Sequence, residues 1–161
     1  TTGFMVGKKH EQNGMINAGS QLIHAVAGST VPHISLQVGN SYGAGNYAMC
    51  GRSFNPRFLF SYPNSKSGVM GADQLAGVME IVKRKSAESL NKAIDEKLLL
   101  EEKHNLAKQA EKKASVWHTT SEVWDDGVID PRDTRKYLSM ALSAVYNNII
   151  KGTDSFGVFR M

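Results

Sequence analysis

The stretch Val38 to Gly51, VGNSYGAGNYAMCG, is where this sequence could do chemistry. A strand-like run enters a glycine-rich loop, and a helix-like run leaves it. One reading is a dinucleotide site, because Gly43, Gly45 and Ala48 satisfy the loose G-x-G-x-x-A spacing. Against it, the helix is cut short by Gly51 and Pro56. No Asp or Glu stands between Cys50 and Asp73 to hold a ribose hydroxyl. A second reading is an oxyanion hole. Small residues let a ligand oxygen approach the main chain, where N–H groups at a helix start carry partial positive charge. A third is that the glycines only permit a tight turn and close helix packing. Composition alone leaves the second and third open.

Other chemistries lack their residues. The histidines His10, His24, His33, His104 and His118 have no metal-ligand spacing, so no metal is expected. No serine sits in a G-x-S-x-G elbow. Cys50, on a small-residue helix, reads as a core thiol rather than a nucleophile. The pair Asp125-Asp126 stands in a turn and reads as capping or solvation rather than acid/base work.

The elements that must position the loop follow from periodicity. Glu11 to Gly28 reads as a first helix, with Met15, Leu22 and Val26 on one face and Ile16 and Ile23 beside them. Gly14 and Gly19 weaken it or admit another backbone. His33 to Val38 alternates apolar and polar residues and reads as a strand. Gly39 to Gly43 reads as loop, and Ala44 to Cys50 as a short helix. Arg57 to Tyr62 is a second strand, and Ser67 to Met70 a third, very short one. Ala72 to Lys83 is a helix with Leu75, Val78, Met79 and Val82 on its apolar face. Residues 86–114 contain no Gly or Pro and form a long, solvent-facing helical segment, broken at most once, with a Leu90, Ile94, Leu98 ladder. Ser115 to Trp124 is a turn or short helix, and Val128 to Asp130 is extended. Pro131 opens a last helix running to about Asn148. It buries Tyr137, Leu138, Ala141, Leu142 and Val145. The order describes an α/β layered domain.

Composition narrows the class. The chain has 161 residues, 41% hydrophobic and 21% charged, which suits one globular domain and not a disordered chain. No run approaches the roughly 20 apolar residues of a membrane helix, so no membrane partner is expected. The single cysteine suggests a reducing compartment. The net charge of +4 has its main cluster at Lys83-Arg84-Lys85. That cluster reads as a solvated helix end, with attraction of an anionic ligand as the alternative. No aromatic residues interleave with it, so no nucleic-acid partner is expected.

The loop SYGAGNYAMCGR, with the preceding GFMVGKKHEQNGMINAG, closely resembles the carboxyltransferase (beta) subunit of biotin-dependent acyl-CoA carboxylases. Further matches follow in order: PRFLFSYPN at Pro56 to Asn64, VMGADQLAGV at Val69 to Val78, VWDDGVIDPRDTR at Val123 to Arg135, and the ending FGVFRM. They cover most of the chain outside Ser86 to Thr120. The NYAMCGR wording, Gln74 and the ending look most like the methylcrotonyl-CoA and geranyl-CoA branch. The stretch Asn64 to Gly68 departs from that branch.

The resemblance implies a crotonase-like α/β fold of β-β-α units, here residues 1–161 as the incomplete C-terminal, biotin-side domain. It implies carboxyl transfer from carboxybiotin to an acyl-CoA, through enolates held by backbone oxyanion holes. Carried over by position, the N–H groups of Ala44 and Gly45 are the biotin-side hole, with Gly43 giving access. Tyr42 and Tyr47 are wall residues or core packing, and Met70, Gly71 and Ala72 support the pocket. The cofactor is then biotin, attached to a carrier domain elsewhere. Expected partners are the acyl-CoA, a biotin carboxylase and carrier subunit, and further copies of the chain, with a hexamer expected of the full-length form. The compartment is bacterial cytoplasm or the mitochondrial matrix. A biotin-dependent decarboxylase and a non-catalytic, dimerising piece are the alternatives. The Phe156 to Met161 tail is expected to lie against a neighbouring subunit, since an apolar tail is poorly soluble alone. Its deletion should weaken the oligomer, read as a shift to smaller species in sedimentation velocity.

Overall fold

The structure, a computed structural model, describes residues 1–155. The tail from Phe156 to Met161 lies outside the described residues. Three short parallel strands form the central sheet, in the order β1 (Ile34–Gln37), β3 (Phe58–Ser61), β5 (Gly127–Val128). The register sets Ile34 beside Phe58 and Leu36 beside Phe60, so these four share a face. On that face Phe58 and Phe60 stack at 5.9 Å, and Tyr137 tilts against Phe60 at 5.7 Å. Phe60, Ile129 and Ala141 make the buried centre. Ala141 belongs to α7 (Thr134–Val145), which covers the sheet there. The other strand residues, Leu59 and Ser61, are buried as well. A small sheet buried on both sides is what parallel pairing requires.

A second, two-stranded parallel sheet lies beside the first. It pairs β2 (Ser41–Tyr42) with β4 (Ser67–Gly68). The sequence reading treated residues 39–43 as loop. Two polar or small residues carry no alternating signal, and only the partner strand reveals them.

Other boundaries moved for local reasons. The first helix is two pieces, α1 (Lys8–Gln12) and α2 (Met15–Gly28), because Gly14 takes a left-handed conformation with φ of 82°. On α2 the expected apolar face is half exposed at Leu22, and Ile16 lies open. The buried residue is Gly19, on which the Phe4 ring rests. Helix α3 (Gly43–Ala48) precedes a 3-10 turn at Arg52–Phe54.

Helix α4 (Ala72–Ser89) runs past the expected stop, and α5 (Glu96–Ala114) starts later. The break is at 90–95. Asn91 adopts φ of 50°, and Asp95 caps α5 by accepting from the N–H groups of Lys97 and Leu98 at 3.0 and 3.1 Å. Leu90, Ile94 and Leu98 therefore form no ladder. Leu99 turns inward instead.

The two helices pack as a hairpin whose seam is Ala76 against α5, and Val78, Met79 and Val82 are largely exposed. Two residues of the basic cluster, Lys83 and Arg84, face this seam. Arg84 makes a bidentate pair with Glu96, at 2.7 and 2.8 Å, and also holds Glu80; Lys83 pairs with Glu102 and Lys103 with Glu80. These cations hold Glu80 and Glu96 below the usual carboxylate range. Lys83 and Arg84 are thus neither a free helix end nor a free anion site, while Lys85 is exposed. Such exposed pairs fix register more than they add stability.

After α6 (Val116–Ser121) the chain enters β5 through Asp125 and Asp126. Asp125 is buried and accepts from the Thr120 hydroxyl at 3.0 Å. Asp126 accepts from the Leu59 N–H at 2.7 Å, while its own N–H donates to the Leu59 carbonyl at 2.8 Å. Asp130 caps the 3-10 turn Pro131–Asp133 and pairs with Arg132, which holds its carboxyl down to about 2. In α7, Ala141 is buried but Leu142 is exposed, and the helix stops at Val145. Thr153 returns to α2: its hydroxyl donates to the Gly28 carbonyl at 3.1 Å and accepts from the Thr30 N–H at 3.0 Å. Among the described residues, no helix is long and apolar enough to cross a membrane.

The Asp126 bond closes the β3–β5 end of the sheet. Asp126→Ala should cost about 1–3 kcal/mol by leaving the Leu59 N–H without its charged acceptor. The urea unfolding midpoint of the purified protein would measure it.

Candidate functional site

The site is assembled around the β2–β4 pairing. Ser41 is buried and donates its N–H to the Lys66 carbonyl at 2.8 Å; the Gln37 amide donates to the same oxygen at 3.1 Å. The Ser41 hydroxyl accepts from the Asn46 amide at 2.8 Å. One serine therefore ties the strand, the partner loop and the following helix together. The ladder sets Tyr42 beside Gly68. It carries the chain directly from an extended Tyr42 into α3, with no side-chain cap.

Gly43 sits at φ of +58°, and a Cβ there would stand 3.0 Å from the Val69 carbonyl. Both the dihedral and the close approach call for glycine. This brings Gly43 against the main chain of Val69, while the Tyr42 ring lies beside Gly68. Gly71 there is the N-cap of α4, accepting from the Leu75 N–H at 3.0 Å. Tyr47 has its ring edge-on to Phe54 at 5.8 Å and is partly exposed, so packing occupies one side of it.

At the start of α3, the N–H groups of Ala44 and Gly45 have no acceptor among the described residues. No carboxylate occurs from Tyr42 to Cys50 or from Val69 to Ala72. Two unpaired donors, on a half-buried Ala44 and a buried Gly45, with no competing acid suit an oxygen that carries negative charge. Gly45 has a further neighbour that sequence reading missed. A Cβ there would fall 1.9 Å from the Thr2 carbonyl, so residues 1–3 run directly over the helix. The Tyr42 N–H donates to the Thr1 carbonyl at 3.1 Å, and the Thr1 and Ser41 hydroxyls meet at 2.8 Å. Nothing in Thr1-Thr2-Gly3 announces this role; it arises from a contact between segments about 40 residues apart.

Behind the loop, Ala48, Cys50 and Gly51 are buried. The Ser35 hydroxyl donates to the Cys50 carbonyl at 2.8 Å. Burial pushes the Cys50 thiol up, and its hydrogen bond with Ser35 opposes that only in part. A recess of about 500 Å³ runs along β1, where the Nε2 of His33 is buried with no partner among the described residues. No three His, Cys, Asp or Glu side chains gather for a metal among the described residues.

The carboxyl transferase domain matches residues 1–158. The chain belongs to the carboxyl transferase domain family. This family member is 53% identical, over its whole length, to a probable biotin-dependent acyl-coenzyme A carboxylase beta2 subunit of Mycobacterium tuberculosis, covering 30% of that protein. It is 43% identical to the mitochondrial methylcrotonoyl-CoA carboxylase beta chain of Dictyostelium discoideum, with 99% of this chain and 27% of the relative covered. Its structure superposes on the geranyl-CoA carboxylase beta subunit of P. aeruginosa with a TM-score of 0.80 and 43% identity, covering all of this chain and 30% of the other. The expected crotonase-like α/β fold holds. The chain spans about 30% of the length of these relatives.

The raised thiol gives a check on the site's interior. In the native protein at about pH 8, Cys50 should be alkylated by iodoacetamide at least ~10-fold more slowly than in urea. Peptide mass spectrometry of timed samples would read it.

Proposed function

We propose that this chain supplies the biotin-side half of an acyl-CoA carboxyltransferase site. The observation that carries the reading is the pair of N–H groups without an acceptor, Ala44 and Gly45, in a loop without acids. The similarity to beta subunits named for methylcrotonoyl-CoA and geranyl-CoA carboxylation supports it.

In this reading the two N–H groups hold the ureido oxygen of biotin. When bound, carboxybiotin supplies the carbon dioxide equivalent and the base that takes the acyl-CoA proton. The protein's part is electrostatic. Two fixed dipoles meet charge as it grows on the oxygen, at no cost of reorganisation. Gly43 keeps side-chain bulk away from the entrance, and the Val69–Ala72 segment holds the loop from the other side. Ser41 and Asn46 act on position alone, by fixing α3 to β2. The acyl-CoA and its own oxyanion hole belong to another part of the whole protein. The favoured acyl group is 3-methylcrotonyl or a similar branched unsaturated chain. Partners are a biotin carboxylase and carrier subunit, and further copies of the polypeptide.

Ala44→Val in the whole protein should lower carboxyl transfer ~10²-fold or more: the N–H is kept, but the branched side chain displaces the oxygen that it must meet. The assay uses the biotin-carrying partner and methylcrotonyl-, geranyl-, propionyl- and acetyl-CoA in turn. An unchanged rate on the preferred thioester would sink the assignment of the hole.

A further inference from the structure

The two faces of the central sheet differ. Phe58 and Phe60 lie on one, under α7; Leu59 and Ser61 lie on the other, with Ser35 and Gln37 of β1 beside them. On this second face the polar side chains of β1 hold loops. The Ser35 hydroxyl donates to the Cys50 carbonyl at 2.8 Å, and the Gln37 amide donates to the Lys66 carbonyl at 3.1 Å. Ser61 does not. It is 2% exposed, and its hydroxyl has no hydrogen-bond partner among the described residues.

Ser61 borders a cavity of about 30 Å³ that Asn46 of α3, Arg52 of the 3-10 turn and Asp125 also line. Asp125 is 5% exposed. An ionised carboxylate offers about four acceptor sites, and here one hydroxyl, that of Thr120, reaches both oxygens at 3.0 Å. No lysine or arginine pairs with Asp125 among the described residues, and none of the acids there pairs with Arg52. Opposite charges thus border one cavity without touching. The backbone is strained on the way to Asp125. Val123 takes φ of 59°, an outlier for a β-branched residue, and the Trp124 N–H closes that turn on the Thr119 carbonyl at 2.9 Å. A buried acid short of donors, a buried hydroxyl without a partner and a cavity the size of one water are what an internal bridging water satisfies.

We propose that one internal water joins Asp125, Ser61 and Arg52, and that Asp125 and Arg52 are thereby positioning residues for the Ala44–Gly45 site. The second half rests on the function proposed above. The water donates to the Asp125 carboxylate and to Ser61 Oγ, and it accepts from the Arg52 guanidinium. Arg52 follows Gly51, whose N–H donates to the Asn46 carbonyl at 2.8 Å; a Cβ on Gly51 would fall 1.9 Å from Asn46 Oδ1. Holding Arg52 therefore holds Asn46, which ties α3 to Ser41. Phe54 of the same turn carries the Tyr47 ring.

A high-resolution crystal structure of the whole protein should show one water at ~2.7–3.2 Å from Asp125, Ser61 Oγ and the Arg52 guanidinium. An empty cavity, a metal ion in it or direct contact of Arg52 with Asp125 overturns the proposal. In urea, Asp125→Asn and Arg52→Gln should each lower the unfolding midpoint, and the double variant should lower it by less than the sum. Additive shifts also overturn the clamp. Carboxyl transfer reads the second half. Each single variant should lower kcat ~10-fold with KM for the acyl-CoA kept, and the double variant should be no slower than either. Arg52→Lys, which keeps a donor for the water, should recover most of the rate. Unchanged kcat in folded Asp125→Asn and Arg52→Gln proteins removes the positioning role. If Ala44→Val leaves transfer unchanged, the function proposed above fails, while the density and the urea cycle still decide the clamp.

Discussion

Two residue pairs of parallel ladder, Ser41 with Ser67 and Tyr42 with Gly68, hold the candidate site in place. So short a ladder has little stability of its own. It survives because Ser41 is bonded on every side: main chain to Lys66, hydroxyl to Asn46 and Thr1. Remove that serine and the helix start loses its fixed angle to the strand. The neighbouring three-stranded sheet then matters as a foundation, since β1 leads into β2 and β3 leads into β4 across only a few residues.

The glycines divide into different duties once their neighbours are known. Gly43 answers a dihedral and a close carbonyl, while Gly45 makes room for the chain's own first residues. The turn-and-packing reading and the oxyanion reading are thus compatible. Side-chain bulk is excluded by the protein itself on one side of α3, and the free N–H groups remain at its start. A site of this kind uses no titrating side chain, and its sensitivity is to shape.

Much of this was legible in advance. The strand–loop–helix order around Val38 to Gly51 is carried by residues whose types leave few alternatives, and Pro131 announces the turn that leads into α7. The acid-free loop could be read directly. What could not be read was anything depending on a distant partner. The β2 strand has no pattern of its own. Lys83 and Arg84 looked unpaired because Glu96 and Glu102 lie across a turn. The Leu90, Ile94, Leu98 spacing was ideal for a helix, but Asp95 competes as a cap and wins. Exposed apolar residues such as Val78, Val82 and Leu142 satisfied periodicity without being covered here. On α4 and α7 burial falls on a small residue, Ala76 and Ala141.

The bonds from Thr153 to Gly28 and Thr30 have a consequence for the order of assembly. They join positions 125 and 123 residues apart, and they supply the end of α2 with partners that no nearer segment offers. The C-terminal end of α2 is therefore secured only when a segment more than 120 residues further along has been placed. Until then its C-terminal end is free to fray, and long-range closure of this kind is slow.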